Sequence, residues 1–236
     1  MTNQTTSLLD KIKSRGYWHI VIRPEVFLKE RITSLRDCQQ LIENNQIRHR
    51  GWYFPHIDER DLHRGLDYIE LNTEFRSTKE SWRFYQSGQL AFFSALSEDW
   101  IADDTLMPND YRQGIKPGLV LEVISALYQL AEAYEFVARL AQHGVYGRDF
   151  YLRINLVGVK GRQLFFWPGS GRYLSMAYVC QVIELPRENS YAVTDFIARS
   201  RDYTYSHFVW IMERFGFEPS EAVFKRDLEK FFEGRY

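Results

Sequence analysis

Gly118 to Gly144, GLVLEVISALYQLAEAYEFVARLAQHG, constrains the fold more than any other stretch of the chain. Between its two glycines it reads as one helix. Its polar residues Glu122, Ser125, Gln129, Glu132, Glu135, Arg139 and Gln142 recur every three or four positions and so form a single narrow stripe. The rest of the circumference is apolar or aromatic. A helix with so thin a polar face must be wrapped by other elements around most of its girth.

The wrapping is legible as strands. Tyr17 to Arg23, YWHIVIR, is β-branched and aromatic and ends at Pro24. In Leu66 to Phe75, Ile69, Leu71, Thr73 and Phe75 alternate with Tyr68, Glu70, Asn72 and Glu74, the period of a strand with one buried face. Ser81 to Tyr85 and Gln89 to Leu96 flank the turn Gln86-Ser87-Gly88, which predicts a hairpin and with it an antiparallel meander. Beyond the helix, Phe150 to Leu156 and Gln163 to Trp167 read as a second hairpin around Gly158 to Gly161. Tyr178 to Leu185 reads as one more strand, closed by Pro186. Trp52 to Phe54 suggests a short strand, and Glu98 to Pro117 a polar loop.

Helices fill the remainder. Leu8, Leu9 and Ile12 mark a short one ended by Gly16. Ser34 with Asp37 three residues on forms a variant capping box for a helix to about Asn45. From about Ser190 the chain is helical, with a stop at Gly216 and a last helix opened by Pro219-Ser220. The predicted class is α+β: antiparallel sheet or sheets packed around one long central helix, with a helical C-terminal tail. Residues 1–189 form the α+β unit and 190–236 a helical subdomain packed on it, or the whole chain is a single domain.

Charge narrows the function classes. Lys plus Arg number 30 against 31 Asp plus Glu, so net charge does not indicate a nucleic-acid or anionic-membrane partner. There is no signal-peptide core and no apolar run long enough to span a bilayer, so the expected location is the cytoplasm. Cys38 and Cys180 have no metal or redox spacing and read as buried hydrophobes.

Several clusters carry chemistry. His56, Asp58, Asp61 and His63 lie in one polar loop and are the candidate metal ligands, since imidazole and carboxylate suit Zn, Mn or Fe. A metal held there, with Glu70 from the next strand, would make a metal-dependent hydrolase or nuclease. Arg48, His49 and Arg50 beside Trp52, Tyr53 and Phe54 pair cations with stacking faces, or else cap a helix end. Arg199, Arg201, Tyr203, Tyr205 and His207 repeat that choice. Asp67, Glu70 and Glu74 are a nuclease-like acidic set without the expected lysine. Gly169-Ser170-Gly171-Arg172 lacks the lysine of a phosphate loop. No nucleophile elbow, C-x-x-C, H-E-x-x-H or dinucleotide fingerprint occurs, so neither catalytic residues nor cofactors are indicated.

Trp82 to Trp100, WRFYQSGQLAFFSALSEDW, followed by ISALYQLAEAYEFVARLA and the segment YLRINLVGVKGRQLFF, resembles an uncharacterised prokaryotic domain. That domain is associated with bacterial regulators that also carry an AlbA-like, Schlafen-type ATP- or nucleic-acid-binding domain. The resemblance covers half to two-thirds of the chain and brings no catalytic motif; the nucleotide-binding domain itself is not recognisable here. It implies a bacterial accessory or sensor module of a regulatory or defence system.

Together these features predict a non-enzymatic binding or regulatory module that recognises a protein or nucleotide/nucleic-acid partner, or a second copy of itself. The expected surface is the outer sheet face with Tyr68, Glu70, Arg83 and Tyr85. Arg48, Arg50, Trp52 and Tyr53 should border it, because their segment precedes the meander.

Overall fold

The computed structural model describes residues 6–106 and 115–234. The chain runs α1 (Leu8–Lys13), β1 (Tyr17–Pro24), α2 (Leu35–Asn45), β2 (His63–Arg64), β3 (Tyr68–Phe75), β4 (Thr78–Tyr85) and β5 (Leu90–Ala95). A 3₁₀ segment, Ser97–Asp103, precedes β6 (Val120–Glu122), α3 (Val123–Gln142), β7 (Asp149–Val157), β8 (Gln163–Phe165), β9 (Glu184–Ala192), α4 (Val193–Arg214) and α5 (Glu221–Phe232). Seven strands form one antiparallel sheet in the order β2-β3-β4-β5-β1-β7-β9. The α+β class and the helical C-terminus are those expected from sequence. No helix among the described residues is long and apolar enough to cross a membrane.

Alternation gives the sheet two unlike faces. The inner face carries Trp18, Ile20 and Ile22, Ile69 and Leu71, Trp82 and Phe84, Phe92, and Phe150, Leu152, Ile154 and Leu156, all buried. Register stacks these rows, so Ile20 lies opposite Phe92 on one side and Ile154 on the other. Against them pack Leu127, Leu130, Tyr134, Val137 and Leu140 of α3 in one continuous core. Each such side chain contributes roughly 1.5–3 kcal/mol by leaving water. The outer face is covered at one end by α1, where Ile12 packs with Ala95 and Trp100.

α4, two residues longer than α3 and broken at Arg199, packs beside α3. One long central helix therefore becomes two. Phe196 of α4 stacks on Tyr134 of α3 and meets Phe150 of β7 edge-on, so the C-terminal helices share the core of the preceding residues.

Three other expectations are corrected. Residues 120–122 are a strand rather than the first turn of α3, because they pair in parallel with β8. β8 therefore makes no hairpin with β7, which lies between β1 and β9. The last strand is Glu184–Ala192 rather than Tyr178–Leu185, and Pro186 lies inside it. Among the described residues only β7 pairs with it, and an edge strand tolerates a residue without an N–H. Trp52–Phe54 contributes a single bridge, Phe54 to Ile47. The capping box stands: the Asp37 amide donates to Ser34 Oγ at 3.1 Å.

Candidate functional site

Beneath the N-terminal half of α3, a cleft of about 670 Å³ separates the helix from the inner sheet face. Its floor comes from the sheet end where the apolar rows stop: Trp18, with Glu80 and Ser94 paired opposite each other in the β4–β5 register. Its roof is the polar stripe of α3, Ser125, Gln129 and Glu132. Glu98 of the 3₁₀ segment, Trp167, and Arg50, Trp52 and Phe54 of the loop after α2 complete the wall. The stripe that makes α3 look wet on one side thus faces this cleft, and Glu122 and Glu132 are each only 2% exposed.

The acids in this region fall into two kinds. Buried Glu132 accepts from both Nε and Nη2 of Arg50, buried Asp99 is paired with Arg162, and buried Asp227 with Arg172. Glu80, Glu98 and Glu122 are equally buried and form no salt bridge among the described residues; Glu122 accepts the Ser125 backbone N–H and lies outside the cleft lining, and Glu80 feels Arg50 only as a nearby charge. Glu80 accepts only the His56 backbone N–H, at a long 3.3 Å. The Trp52 indole lies close enough to favour the Glu80 carboxylate but lacks the geometry of a hydrogen bond. Glu98 accepts the Glu122 backbone N–H at 3.0 Å and the Ser97 hydroxyl at 3.4 Å.

Burial disfavours the charged form of both groups. It is the main reason that Glu80 is pushed up to about 8, against relief from the His56 amide, with a further rise from Glu132 and smaller lowering from Trp52 and from the Arg50 charge. Glu98 is pushed up to about 7, again chiefly by burial, with Asp99 and Glu122 adding to it. Perturbed carboxyls lining a cleft are a physical signature of a functional site.

The basic-aromatic segment serves this cleft and lies on the side of the sheet opposite to the one expected. The Arg139 guanidinium donates to Gln46 O at 2.8 Å, His49 Nε2 meets Glu135 at 2.9 Å, and Arg50 holds Glu132. The segment therefore runs along the α3 stripe and neutralises it. Trp52 stacks on His56 and on Phe75. Arg48 lies outside this arrangement, 4.6 Å over the exposed ring of Tyr53.

On the outer face, Tyr68, Glu70, Arg83 and Tyr85 do come together. Arg83 donates to Glu70 at 2.8 and 2.5 Å, its guanidinium lies 4.1 Å over the Tyr68 ring, and Tyr68 and Tyr85 are 5.6 Å apart. They are mutually satisfied, and Glu70, Arg83 and Tyr85 border a depression of about 540 Å³ beside α1.

The metal-ligand expectation is corrected. Among the described residues no three His, Cys, Asp or Glu side chains are placed to hold a metal ion. Asp58 is taken by Arg60, which donates at 3.0 and 2.6 Å. His56 stacks on Trp52, while His63 lies in β2 opposite Glu70, so these groups and Asp61 make no common site. The other clusters are also structural: Glu74 binds Lys11, Arg172 latches the Gly169–Gly171 turn to Asp227, and buried His207 bonds Tyr134. Burial pushes the Cys38 thiol up to about 12, which keeps it unreactive.

Glu80 and Glu98 were not singled out by sequence. The signal for Glu80 is present, since carrying the Trp82 and Phe84 alternation back two residues puts a carboxyl in the buried row. Glu98 carries no such mark. No family model matches the chain, and no curated protein and no solved structure is significantly similar to it.

Proposed function

We propose that this chain is a small-molecule binding module whose ligand occupies the cleft between α3 and the inner sheet face. The observation that supports this best is the contrast among buried acids: Glu80 and Glu98 line an open volume without a cation, whereas Asp99, Glu132 and Asp227 each hold an arginine. A carboxyl left without a salt bridge at such burial is costly to keep unless it has a use. A sensor of this kind fits the regulatory setting implied by the resemblance.

The test is a thermal-shift panel of neutral, cationic and anionic small molecules. At least one class should raise the melting temperature, and Gln129→Phe, which fills the cleft, should abolish the shift without loss of cooperative folding. No stabilising compound, or a shift indifferent to Gln129→Phe, would remove the reading. Turnover of the bound molecule would instead make Glu80 and Glu98 general acids of an enzyme.

A second reading keeps the outer face as a partner surface for another protein, for nucleic acid or for a second copy. It is supported by the aromatic and cationic side chains left uncovered beyond α1, with Arg83 over Tyr68 and Arg23 over Tyr151. Light scattering across a concentration series, with Tyr68→Ala as control, tests self-association through it.

A further inference from the structure

We infer that the cleft takes an organic cation, a ligand that presents an ammonium or guanidinium group to Glu80 and Glu98 and packs its carbon skeleton among the tryptophans. This rests on the reading of the cleft as the ligand site and deepens it to a chemical class.

Three observations carry it. Among the described residues the lining holds three carboxyls, Glu80, Glu98 and Glu132, against one guanidinium, and Arg50 is already committed through two nitrogens to Glu132. A phosphate or carboxylate ligand would be repelled by the ionised form of these carboxyls and would find the guanidinium already held by Glu132. Among the described residues no three His, Cys, Asp or Glu side chains are placed to hold a metal ion, so the cation that suits this wall is an organic one. The aromatic part of the wall is Trp18, Trp52, Phe54 and Trp167, beside Leu96 and Leu121, and aromatic rings beside carboxylates are the setting in which alkylammonium groups are held.

Glu80 is the decisive group. It is 4% exposed, lines the cleft, and has one long backbone hydrogen bond in place of the bidentate arginine that other buried acids enjoy. The groups that face it are the His56 amide and Trp52 from the loop, Arg50 bound to Glu132, and Glu132 itself from α3. Glu98 faces Asp99 on its own segment and the Glu122 amide and carboxyl at the end of β6. None of these supplies an uncommitted positive charge, and burial favours the protonated form of both glutamates.

An arriving cation takes the place of that proton. The carboxyl O–H bond breaks, its proton passes to solvent, and the carboxylate pairs with the ligand. Binding is then linked to proton release, and affinity rises with pH through the range in which the unliganded carboxyls titrate.

The probes are choline, agmatine and spermidine as cations, 3,3-dimethylbutan-1-ol as the neutral shape-match of choline, glucose as a polyol, and adenosine monophosphate as an anion. Calorimetry on the full chain in buffers of differing ionisation heat reads affinity and proton release together. At least one cation should bind about tenfold or more tightly at about pH 9 than at about pH 6, with measurable proton release, and should outbind its neutral match. Glu80→Gln combined with Glu98→Gln, which keeps the shape of the protonated acids, should weaken that cation at least about tenfold and flatten its pH dependence. The wild-type comparison needs no variant. If glucose or the neutral alcohol binds as well as any cation and without pH dependence, the cation inference is overturned while the cleft remains a ligand site. If adenosine monophosphate is the preferred probe, the charge argument is wrong. If no probe of any class binds, both readings fall.

Discussion

Arg162 and Asp99 form an ion pair closed to solvent at both ends, their side chains 1% and 0% exposed. Asp99 also accepts the Gly16 amide at 2.9 Å and the Gly118 amide at 2.7 Å. Arg162 donates to Gly158 O and Val120 O, each at 2.7 Å. This one pair ties together the start of β1, the approach to β6 and the turn after β7. It also fixes the 3₁₀ segment that presents Glu98 to the cleft.

Removing Asp99 strands a buried guanidinium, so Asp99→Ala should cost about 3–5 kcal/mol in urea unfolding. Asp99→Ala with Arg162→Met should recover a good part of that loss. Equal destabilisation in the single and double variants would show that the charge is not what makes the site costly to break.

Gly16 tests the same knot sterically. A Cβ there would collide with the Arg162 guanidinium and with Leu96, both buried side chains. Gly16→Ala should lower stability by about 1–3 kcal/mol. An unchanged unfolding midpoint would mean that Arg162 can move aside.

The raised carboxyls make stability fall with pH. Between the ordinary glutamate value of 4.5 and about 8, the unfolded chain has released the Glu80 proton while the folded chain still holds it. The folded state binds more protons, so unfolding becomes easier as pH rises, by at most about 1.4 kcal/mol per unit for each such group. The loss is complete above about pH 8, and Glu98 adds its own contribution up to about 7. Glu80→Gln should flatten the pH dependence of the urea midpoint between those limits. A slope unchanged in the variant would mean that Glu80 is not the titrating group.

Arg50 and Arg83 look alike in sequence and should behave differently. Arg50→Ala leaves Glu132 buried and unpaired and should cost about 3 kcal/mol or more. Arg83 and Glu70 form a partly exposed pair, so Arg83→Ala should cost under about 1 kcal/mol. Similar costs in thermal unfolding would contradict the assignment of the two to opposite faces of the sheet.

Local pattern was sufficient for the elements themselves. The alternation from Tyr68 to Phe75, the turn at Gln86 to Gly88 and the capping box at Ser34 each specify their structure within a few residues, because backbone geometry repeats over that range. The stripe on α3 was equally legible as a stripe. What it faces was not, since periodicity says which residues share a side and nothing about what that side meets. Read locally, Glu122, Gln129 and Glu132 are the wet face of a helix. In the folded chain Gln129 and Glu132 roof a cleft and Glu122 is buried at the end of β6, because the loop from Gln46 to Phe54 lies along the stripe and the polar end of β4 and β5 closes beneath. The same limit misplaced β8 and β9, whose partners are chosen across the sheet rather than by neighbours in sequence. Glu80 marks the boundary between the two kinds of information. Its place in the buried row follows from counting by twos along β4, but its lack of a cation follows only from Arg50 choosing Glu132, a pairing across more than eighty residues that tertiary packing alone decides.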